Sequence, residues 1–149
     1  MAAFLVIAHA PLASALVAVA GHVYAERCAG LSAIDVAPGD SPEQVEAAAR
    51  AALDALAADE VLILTDVFGA TPCNVAQRLA DGRHARVVTG VNVPMLWRSL
   101  CYAGEPLDVL VTRAVAGGSA GVMPITVNRP QNQTQTPPSH DQNASRHQQ

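Results

Sequence analysis

Aromatic residues are scarce in this chain of 149 residues. Phe, Trp and Tyr make up only 3% of it, although 50% of the residues are hydrophobic. The core must therefore be built from Ala, Val and Leu, which suits close packing of helices on a sheet. The length allows one well-buried domain and is too short for two comfortable ones.

Basic runs and paired cysteines are also missing. The net charge is −4 and no run of Lys or Arg occurs, so a nucleic-acid surface, which needs a basic stripe, is not expected. The cysteines (Cys28, Cys73 and Cys101) are odd in number and show no CxxC spacing. This argues against a disulfide framework or a zinc site. We expect no metal ion, and a reducing, cytoplasmic location.

The chain has neither a clear targeting segment nor a nucleotide motif. Residues 1–20 are apolar, but they lack a positively charged start, and His9 and Pro11 interrupt them before the ~20 residues of a membrane helix. Neither GxxxxGK[ST] nor GxGxxG occurs. A nucleotide is therefore not indicated, and no cofactor is expected.

Apolar runs alternate with helical patterns along the chain. The predicted strands carry almost no internal charge, as is typical of parallel strands covered on both faces; they lie near 4–8, 31–36, 61–64 and 87–91. Apolar spacings of three and four residues predict helices over 11–26, 41–56, 71–80, 94–103 and, shorter, 106–115. The alternation predicts a doubly wound, mostly parallel α/β sheet in the order 2-1-3-4, with helices on both faces.

The C-terminal part of the chain, from Gly117 onward, changes character twice. Val122–Val127 is a candidate fifth strand after a flexible glycine-rich connection from Gly117 to Gly121. From Asn128 onward the residues are mainly Gln, Asn, Pro, Ser and Thr, which cannot bury enough apolar surface to fold. We therefore predict a domain over residues 1–127 and a disordered polar tail over 128–149.

His9 and Asp66 each follow a predicted buried strand. In the order 2-1-3-4 these two strands are neighbours, and their carboxyl ends meet where open α/β sheets bind ligands. Adjacent strands lie ~4.8 Å apart, so the two side chains are within reach of each other. An Asp that accepts a proton from one ring nitrogen leaves the other as a nucleophile and steadies the imidazolium that forms. A lone histidine here would be structural, but the carboxylate partner favours a catalytic pair.

The turn after the third strand supplies candidate phosphoryl-binding residues: Gly69, Ala70, Thr71 and Asn74. Gly69 permits a tight turn, Thr71 can cap the next helix, and Pro72 fits the first helical position. Free backbone N–H groups at a helix start bind anions, phosphate above all. Beside His9 and Asp66, this turn indicates that the transferred group is phosphoryl.

Two further polar residues have competing explanations. Asn92, in the turn after the fourth strand, could lie beside the same crevice, although turn chemistry alone explains it. Cys73, near a helix start, could have a lowered pKa. Cysteine is, however, often simply a small buried residue.

Three segments together resemble a known family: His9 after the first strand, Asp-Val-Phe-Gly-Ala-Thr-Pro-Cys-Asn at 66–74, and Gly-Val-Asn-Val-Pro-Met-Leu at 90–96. Over roughly residues 2–127 the chain is similar to the enzyme IIA domain of the mannose-type sugar phosphotransferase system. One departure is Ala10-Pro11, since the family commonly has Gly directly after its histidine.

The resemblance implies a histidine phosphocarrier. A phosphohistidine on HPr would donate to Nε2 of His9 while Asp66 holds Nδ1, and His9 would pass the group to a IIB component. It also implies a homodimer that exchanges Val122–Val127 as an antiparallel strand. Any membrane contact would be peripheral, through a permease complex.

Two alternatives stay open. A regulator on the same scaffold would have its phosphorylation state recognised by a partner without sugar transport. A hydrolase would use Cys73 with a nearby histidine. Neither the sugar, the acceptor nor the role of the tail can be inferred from the sequence.

Overall fold

Four parallel strands form one sheet, flanked by helices. The computed structural model describes residues 1–128. In spatial order the strands are β2 (Leu31–Val36), β1 (Ala3–His9), β3 (Val61–Thr65) and β4 (Ala85–Val88). The predicted order 2-1-3-4 is confirmed. The chain connections lead outward in opposite directions from the position between β1 and β3, and such sheets bind ligands at this switch point.

Helices cover both faces of the sheet, as predicted. Five α-helices and one 3-10 helix occur within residues 1–128: α1 (Leu12–Tyr24), the 3-10 helix (Ala25–Gly30), α2 (Pro42–Leu56), α3 (Thr71–Leu79), α4 (Val93–Cys101) and α5 (Leu107–Ala120). Helices α1, α4 and α5 pack on one face, and α2 and α3 pack on the other. The core on each face is mainly Ala, Val and Leu, and Phe4 is the one aromatic residue that is fully buried.

The strand register brings the carboxyl ends of β1 and β3 side by side. Ile7 pairs with Thr65, the last residue of β3. His9 therefore lies two residues beyond this pair on one strand, and Asp66 lies one residue beyond it on the next. The predicted neighbourhood of the two side chains follows from this register.

Local signals place the start of α2 as predicted. Ser41 Oγ accepts a hydrogen bond from the Gln44 amide, and Gln44 Oε1 accepts one from the Ser41 amide. This reciprocal capping box satisfies backbone donors that the helix leaves unpaired. Pro42 occupies the first helical position, where its missing N–H costs nothing.

The fourth strand is shorter and earlier than predicted. It ends at Val88, and residues 89–92 form a turn instead of continuing the ladder. Gly90 has a φ of +78°, which a β-branched residue would avoid. The Val91 amide donates to the Thr65 carbonyl, so the turn folds back over the end of β3.

The prediction of a flexible, glycine-rich connection from Gly117 to Gly121 is wrong. Helix α5 runs through it to Ala120, and Gly117 and Gly118 are buried. A Cβ on Gly117 would lie 2.7 Å from Arg98 Cβ, so only glycine lets α5 approach α4 this closely. The glycines therefore serve helix packing, not flexibility.

The segment predicted as a fifth strand is exposed in this single chain. Val122–Val127 has no strand structure, and the sheet of residues 1–128 contains four strands, not five. Exchange with a second subunit stays a prediction. Apart from Asn128, the predicted disordered tail lies outside the described residues.

Candidate active site

His9 and Asp66 form a close hydrogen-bonded pair at the carboxyl edge of the sheet. Asp66 Oδ2 lies 2.6 Å from His9 Nδ1 and accepts a second hydrogen bond, of 2.9 Å, from the His9 backbone amide. The other oxygen, Oδ1, accepts from the Val67 amide at 2.8 Å. The carboxylate is thus held by three donors, and the ring is held by the carboxylate.

The pairing determines which ring nitrogen is available. Burial raises the pKa of Asp66, but the hydrogen bonds from His9 and Val67 outweigh burial and hold the pKa below its usual value. An ionised carboxylate can only accept hydrogen bonds, so Nδ1 is the donor in this pair. In the neutral ring, this tautomer leaves the lone pair on Nε2. The His9 side chain is 54% exposed and that of Asp66 is 14% exposed. The ring nitrogen that does not face Asp66, Nε2, therefore belongs to the exposed partner of the pair.

The start of α3 lies at the same edge and has no side-chain cap. Ala70 is the N-cap and Thr71 the first helical residue, one position earlier than predicted. Thr71 therefore does not cap the helix. Gly69 has a φ of +88°, which turns the chain into α3 in a conformation that L side chains rarely adopt. Within residues 1–128, no side chain accepts from the first N–H groups of α3, so these remain available to an anion.

Asn74 supports this turn from within. Its Nδ2 donates to the Gly69 carbonyl at 3.3 Å, and its backbone amide donates to the Ala70 carbonyl. Asn74 is exposed, so its amide could also reach a bound group. The predicted turn residues thus lie together, with Asn74 bracing the loop.

Helix α1 also starts beside His9, but there a side chain already accepts a hydrogen bond from a backbone N–H of the first turn. The carboxylate of Asp35, in β2, accepts from the Ser14 backbone amide at 3.0 Å. Sequence reasoning missed this contact, although Asp35 is the only charge inside a predicted strand. An internal acid in a buried-strand pattern is the signal that could have revealed it.

Asn92 is the N-cap of α4 and contacts α5. Its Oδ1 accepts from the Met95 amide at 2.8 Å, and its Nδ2 donates to the Gly118 carbonyl at 3.1 Å. The turn before Asn92 contacts the end of β3, since the Gly90 amide donates to the Asp66 carbonyl at 2.9 Å. That Asn92 itself lies beside the crevice stays a prediction. Both polar atoms of the Asn92 side chain are occupied by protein.

Exposed apolar side chains follow His9 and Asp66 closely along the chain. Phe68 is 75% exposed and Val67 is 52% exposed, both directly after Asp66, and Leu12 at the start of α1 is 37% exposed. Large apolar side chains at this exposure are typical of a protein interaction surface when they lie together.

A second His–Asp pair lies at the opposite edge of the sheet. His84 Nδ1 is 3.1 Å from Asp81 Oδ2, and the His84 side chain is 58% exposed. His84 precedes β4, so it is at the amino end of the strands, where no helix N-terminus follows a strand. The pair resembles His9–Asp66 in local geometry but lacks its surroundings.

Features that would support a hydrolase or a metal enzyme are weak. Cys73 is fully buried and has no histidine partner within the described part of the chain. The GxSxG spacing from Gly117 to Gly121 lies at the end of α5 instead of a strand-to-helix turn, so it is no nucleophile elbow. No group of three or more His, Cys, Asp or Glu side chains in residues 1–128 is arranged to hold a metal ion.

No helix within residues 1–128 is long and apolar enough to cross a membrane.

A groove of about 600 Å³ lies between α4 and α5, lined by Trp97, Tyr102 and Met123 among others, and none of the predicted site residues lines it. His9, whose side chain is 54% exposed, lies outside this groove.

Comparison with known proteins adds the family. Residues 3–108 match the family model EIIA-man, described as the PTS system fructose IIA component, where PTS is the phosphotransferase system. The chain belongs to the EIIA-man family. The resemblance predicted from the sequence is therefore confirmed.

Curated relatives and solved structures agree with the EIIA-man assignment. The mannose-specific EIIAB component of the PTS system from Escherichia coli K12 is 38% identical over 93 residues, which is 60% of this chain and 29% of that protein. The chain thus spans less than a third of the relative's length. The mannose/sorbose specific IIA subunit from Enterococcus faecalis is 25% identical with a TM-score of 0.77, covering 86% of this chain and 97% of that one.

A further EIIA structure supports the fold alone. The EIIA component from Streptococcus agalactiae has a TM-score of 0.72 at 24% identity, and the alignment covers 83% of this chain and 97% of that chain. The doubly wound architecture, with helices on both faces, is therefore shared among EIIA proteins of low sequence identity.

Proposed function

We propose that this chain is a histidine phosphocarrier of a sugar phosphotransferase system. It accepts a phosphoryl group from phospho-HPr on Nε2 of His9 and passes it to a IIB component. One observation carries the proposal: in an EIIA-man chain, an ionised Asp66 holds Nδ1 at 2.6 Å and leaves Nε2 as the free nucleophile of an exposed ring.

The transfer step balances without a cofactor. The Nε2 lone pair of His9 attacks the phosphorus of the donor phosphohistidine. A new P–N bond forms while the P–N bond of the donor breaks, and the donor imidazole leaves with that electron pair. The modified His9 ring then carries positive charge and keeps its proton on Nδ1, where the Asp66 carboxylate stabilises it. In the onward step, a nucleophile of the acceptor attacks the phosphorus, the P–N bond to His9 breaks, and unmodified His9 is regenerated.

The phosphoryl oxygens are held by the start of α3. Its uncapped N–H groups carry the positive end of the helix dipole. Gly69, Ala70 and Thr71 supply this turn, with Asn74 as its brace and a further amide donor. Such donors favour the transferring group because its negative charge is spread over the equatorial oxygens.

Partner proteins bind around the exposed ring. The apolar side chains of Phe68, Val67 and Leu12 offer a surface to HPr and to the acceptor in turn. An open edge suits this role, since the group passes between proteins and needs no enclosed pocket. We place the reaction in the cytoplasm, with membrane contact only through a permease complex.

Radioactive phosphoenolpyruvate, enzyme I and HPr test the proposal directly. We expect one acid-labile phosphate per chain, mapped to His9 and absent in His9→Ala. The matched control is His84→Ala, which removes a histidine of similar exposure that also contacts an Asp. It should be labelled like the wild type. Label that persists in His9→Ala, or wild-type protein that takes up none, would overturn the proposal.

A second arm addresses the acceptor. Labelled protein is separated from the donor and mixed with a IIB component of the mannose type. Movement of the label to IIB, with recovery of unmodified His9, is expected. Label that stays on the chain with every IIB tested would contradict the transport role and favour the regulatory alternative.

A further inference from the structure

The main chain at Asp66 is held by the turn after β4. The Gly90 amide donates to the Asp66 carbonyl and the Val91 amide donates to the Thr65 carbonyl, both at 2.9 Å. On its other side, the Asp66 carboxylate reaches across to β1. The position of the carboxylate relative to the His9 ring therefore depends on where residues 90 and 91 lie.

Asn92 fixes that turn to two helices. Its Oδ1 accepts from Met95 in the first turn of α4, and its Nδ2 donates to the carbonyl of Gly118 in the last turn of α5. The amide that would normally bond this carbonyl is that of Val122, but it donates to Ser119 instead. Asn92 thus satisfies one unpaired donor and one unpaired acceptor at two helix ends.

Only an amide side chain of this length can make both bonds. Ser or Asp could cap α4 through an oxygen, but neither can replace Nδ2. An ionised Asp carries no donor, and the Ser side chain is too short to reach the Gly118 carbonyl while it caps α4. An ionised Asp would also place negative charge against the C-terminal carbonyls of α5. The choice of Asn here is therefore explained by the bridge to α5, beyond the cap alone.

We propose that Asn92 is a positioning residue for the His9–Asp66 pair. It acts by tying the 90–92 turn to the end of α5, and this role rests on the proposed phosphocarrier function. Within residues 1–128, the Asn92 side chain makes its hydrogen bonds to Met95 and Gly118 and none to His9 or Asp66. When the bridge is lost, the turn loosens, the Asp66 main chain shifts, and the carboxylate holds Nδ1 less well.

The test compares Asn92→Ser with Ser41→Ala. The first keeps an oxygen cap for α4 and loses the bond to Gly118. The second removes the cap of α2, on the other face of the sheet, and leaves the 90–92 turn intact. Two quantities are measured in folded protein: the exchange of the His9 Nδ1 proton with water, by NMR on ¹⁵N-labelled protein, and the rate of phosphotransfer from HPr.

We expect Asn92→Ser to exchange the Nδ1 proton about tenfold faster and to transfer about tenfold more slowly, since a 1 Å misplacement can cost ~100-fold. Ser41→Ala should match the wild type in both. Equal values in the two variants, or a transfer rate unchanged despite faster exchange, would overturn the proposal. If Asn92→Ser does not fold, Asn92→Thr carries the same test, because Thr also caps through a neutral oxygen and cannot replace Nδ2.

The exchange measurement separates this proposal from the proposed function. If wild-type protein takes no phosphoryl group, the phosphocarrier proposal fails. The Nδ1 exchange still reports whether Asn92 positions Asp66 on the ring.

Discussion

Asp66 holds His9 through a single oxygen atom. Oδ2 accepts both the backbone N–H of His9, at 2.9 Å, and its ring Nδ1, at 2.6 Å. One atom therefore fixes the end of β1 and the orientation of the imidazole together. The negative charge lies beside Nδ1, away from Nε2, which is the nucleophile of the proposed transfer.

We expect Asp66→Asn to keep the fold and to slow phosphotransfer by about 100-fold. The amide oxygen can still accept from His9, but it brings no negative charge to balance the modified ring. The rate of label transfer from HPr is the measurement. Asp81→Asn, which neutralises the carboxylate beside His84, is the control and should transfer at the wild-type rate. An equal rate in Asp66→Asn would remove Asp66 from the mechanism.

The partner surface around His9 predicts a binding defect in Phe68→Ala. Its side chain is 75% exposed, so its loss should not change thermal stability. We expect the KM for phospho-HPr to rise about fivefold or more, with kcat little changed. Val23→Ala, a truncation of an exposed apolar residue in α1, serves as the comparison. A similar KM in both variants would argue against docking through Phe68.

The two kinds of helical glycine predict opposite changes in stability. Gly21 in α1 has nothing within 4 Å of its missing Cβ, so Gly21→Ala should stabilise by about 1 kcal/mol through helix propensity. A Cβ on Gly117 would lie 2.7 Å from Arg98 Cβ and 3.3 Å from the Pro94 carbonyl oxygen. Gly117→Ala should destabilise by roughly 1–3 kcal/mol. Urea unfolding checks both, and a more stable Gly117→Ala would refute the close packing.

Acid should weaken the contribution of Asp81 to stability. Backbone N–H bonds from Ala85, Arg83 and His84 hold the pKa of this carboxyl well below its usual value of 3.8. The unfolded chain takes up the proton near pH 3.8, whereas the folded chain does so only at lower pH. The stabilisation is therefore complete above pH 3.8 and is lost as the pH falls toward the folded pKa.

The free energy of unfolding of Asp81→Asn, compared with wild type, measures this effect. The difference should be constant from about pH 5 to about pH 7 and should shrink below the usual Asp value. A difference that stays constant down to about pH 2 would contradict the lowered pKa.

A homodimer remains our prediction for the exposed end of the described chain. Val122, Met123, Ile125 and Val127 are all more than 60% exposed, and β4 is an edge strand open to pairing. Light scattering should give the mass of two chains for the full protein and of one chain for a protein ending at Gly121. This end point leaves α5 and the Asn92–Gly118 bond intact. A monomeric full-length protein would refute the dimer, and a dimeric shortened protein would refute the exchange.

The main relationships at the site could be predicted because they follow from strand order. β1 ends at His9 and β3 ends directly before Asp66. Because the two strands are parallel neighbours, the strand order alone predicts that these side chains lie within reach of each other. β2 was also predicted with its observed bounds, since its apolar run is flanked by residues that do not continue a strand. The capping box of α2 is equally local, with the signal carried by Ser41 and Gln44.

What sequence reasoning missed depends on tertiary packing. Gly117 and Gly118 disfavour a helix by propensity, and only the close approach of α4 explains why α5 continues through them. The partner of Asn92 could not be foreseen for the same reason, because Gly118 enters its reach only when α5 is a helix. At α3, the shift of the cap from Thr71 to Ala70 reflects turn geometry that residue type alone does not specify.

The bond between Asp35 and Ser14 makes the two helix starts near His9 unequal. At α1 a carboxylate already occupies the position an anion would take, and its charge repels a second one. At α3 the equivalent position is open. An anion approaching Nε2 therefore meets attraction from one face of the sheet and repulsion from the other. In the proposed transfer, the electrostatics of the two helix starts therefore favour approach of the phosphoryl group from the α3 side of the sheet.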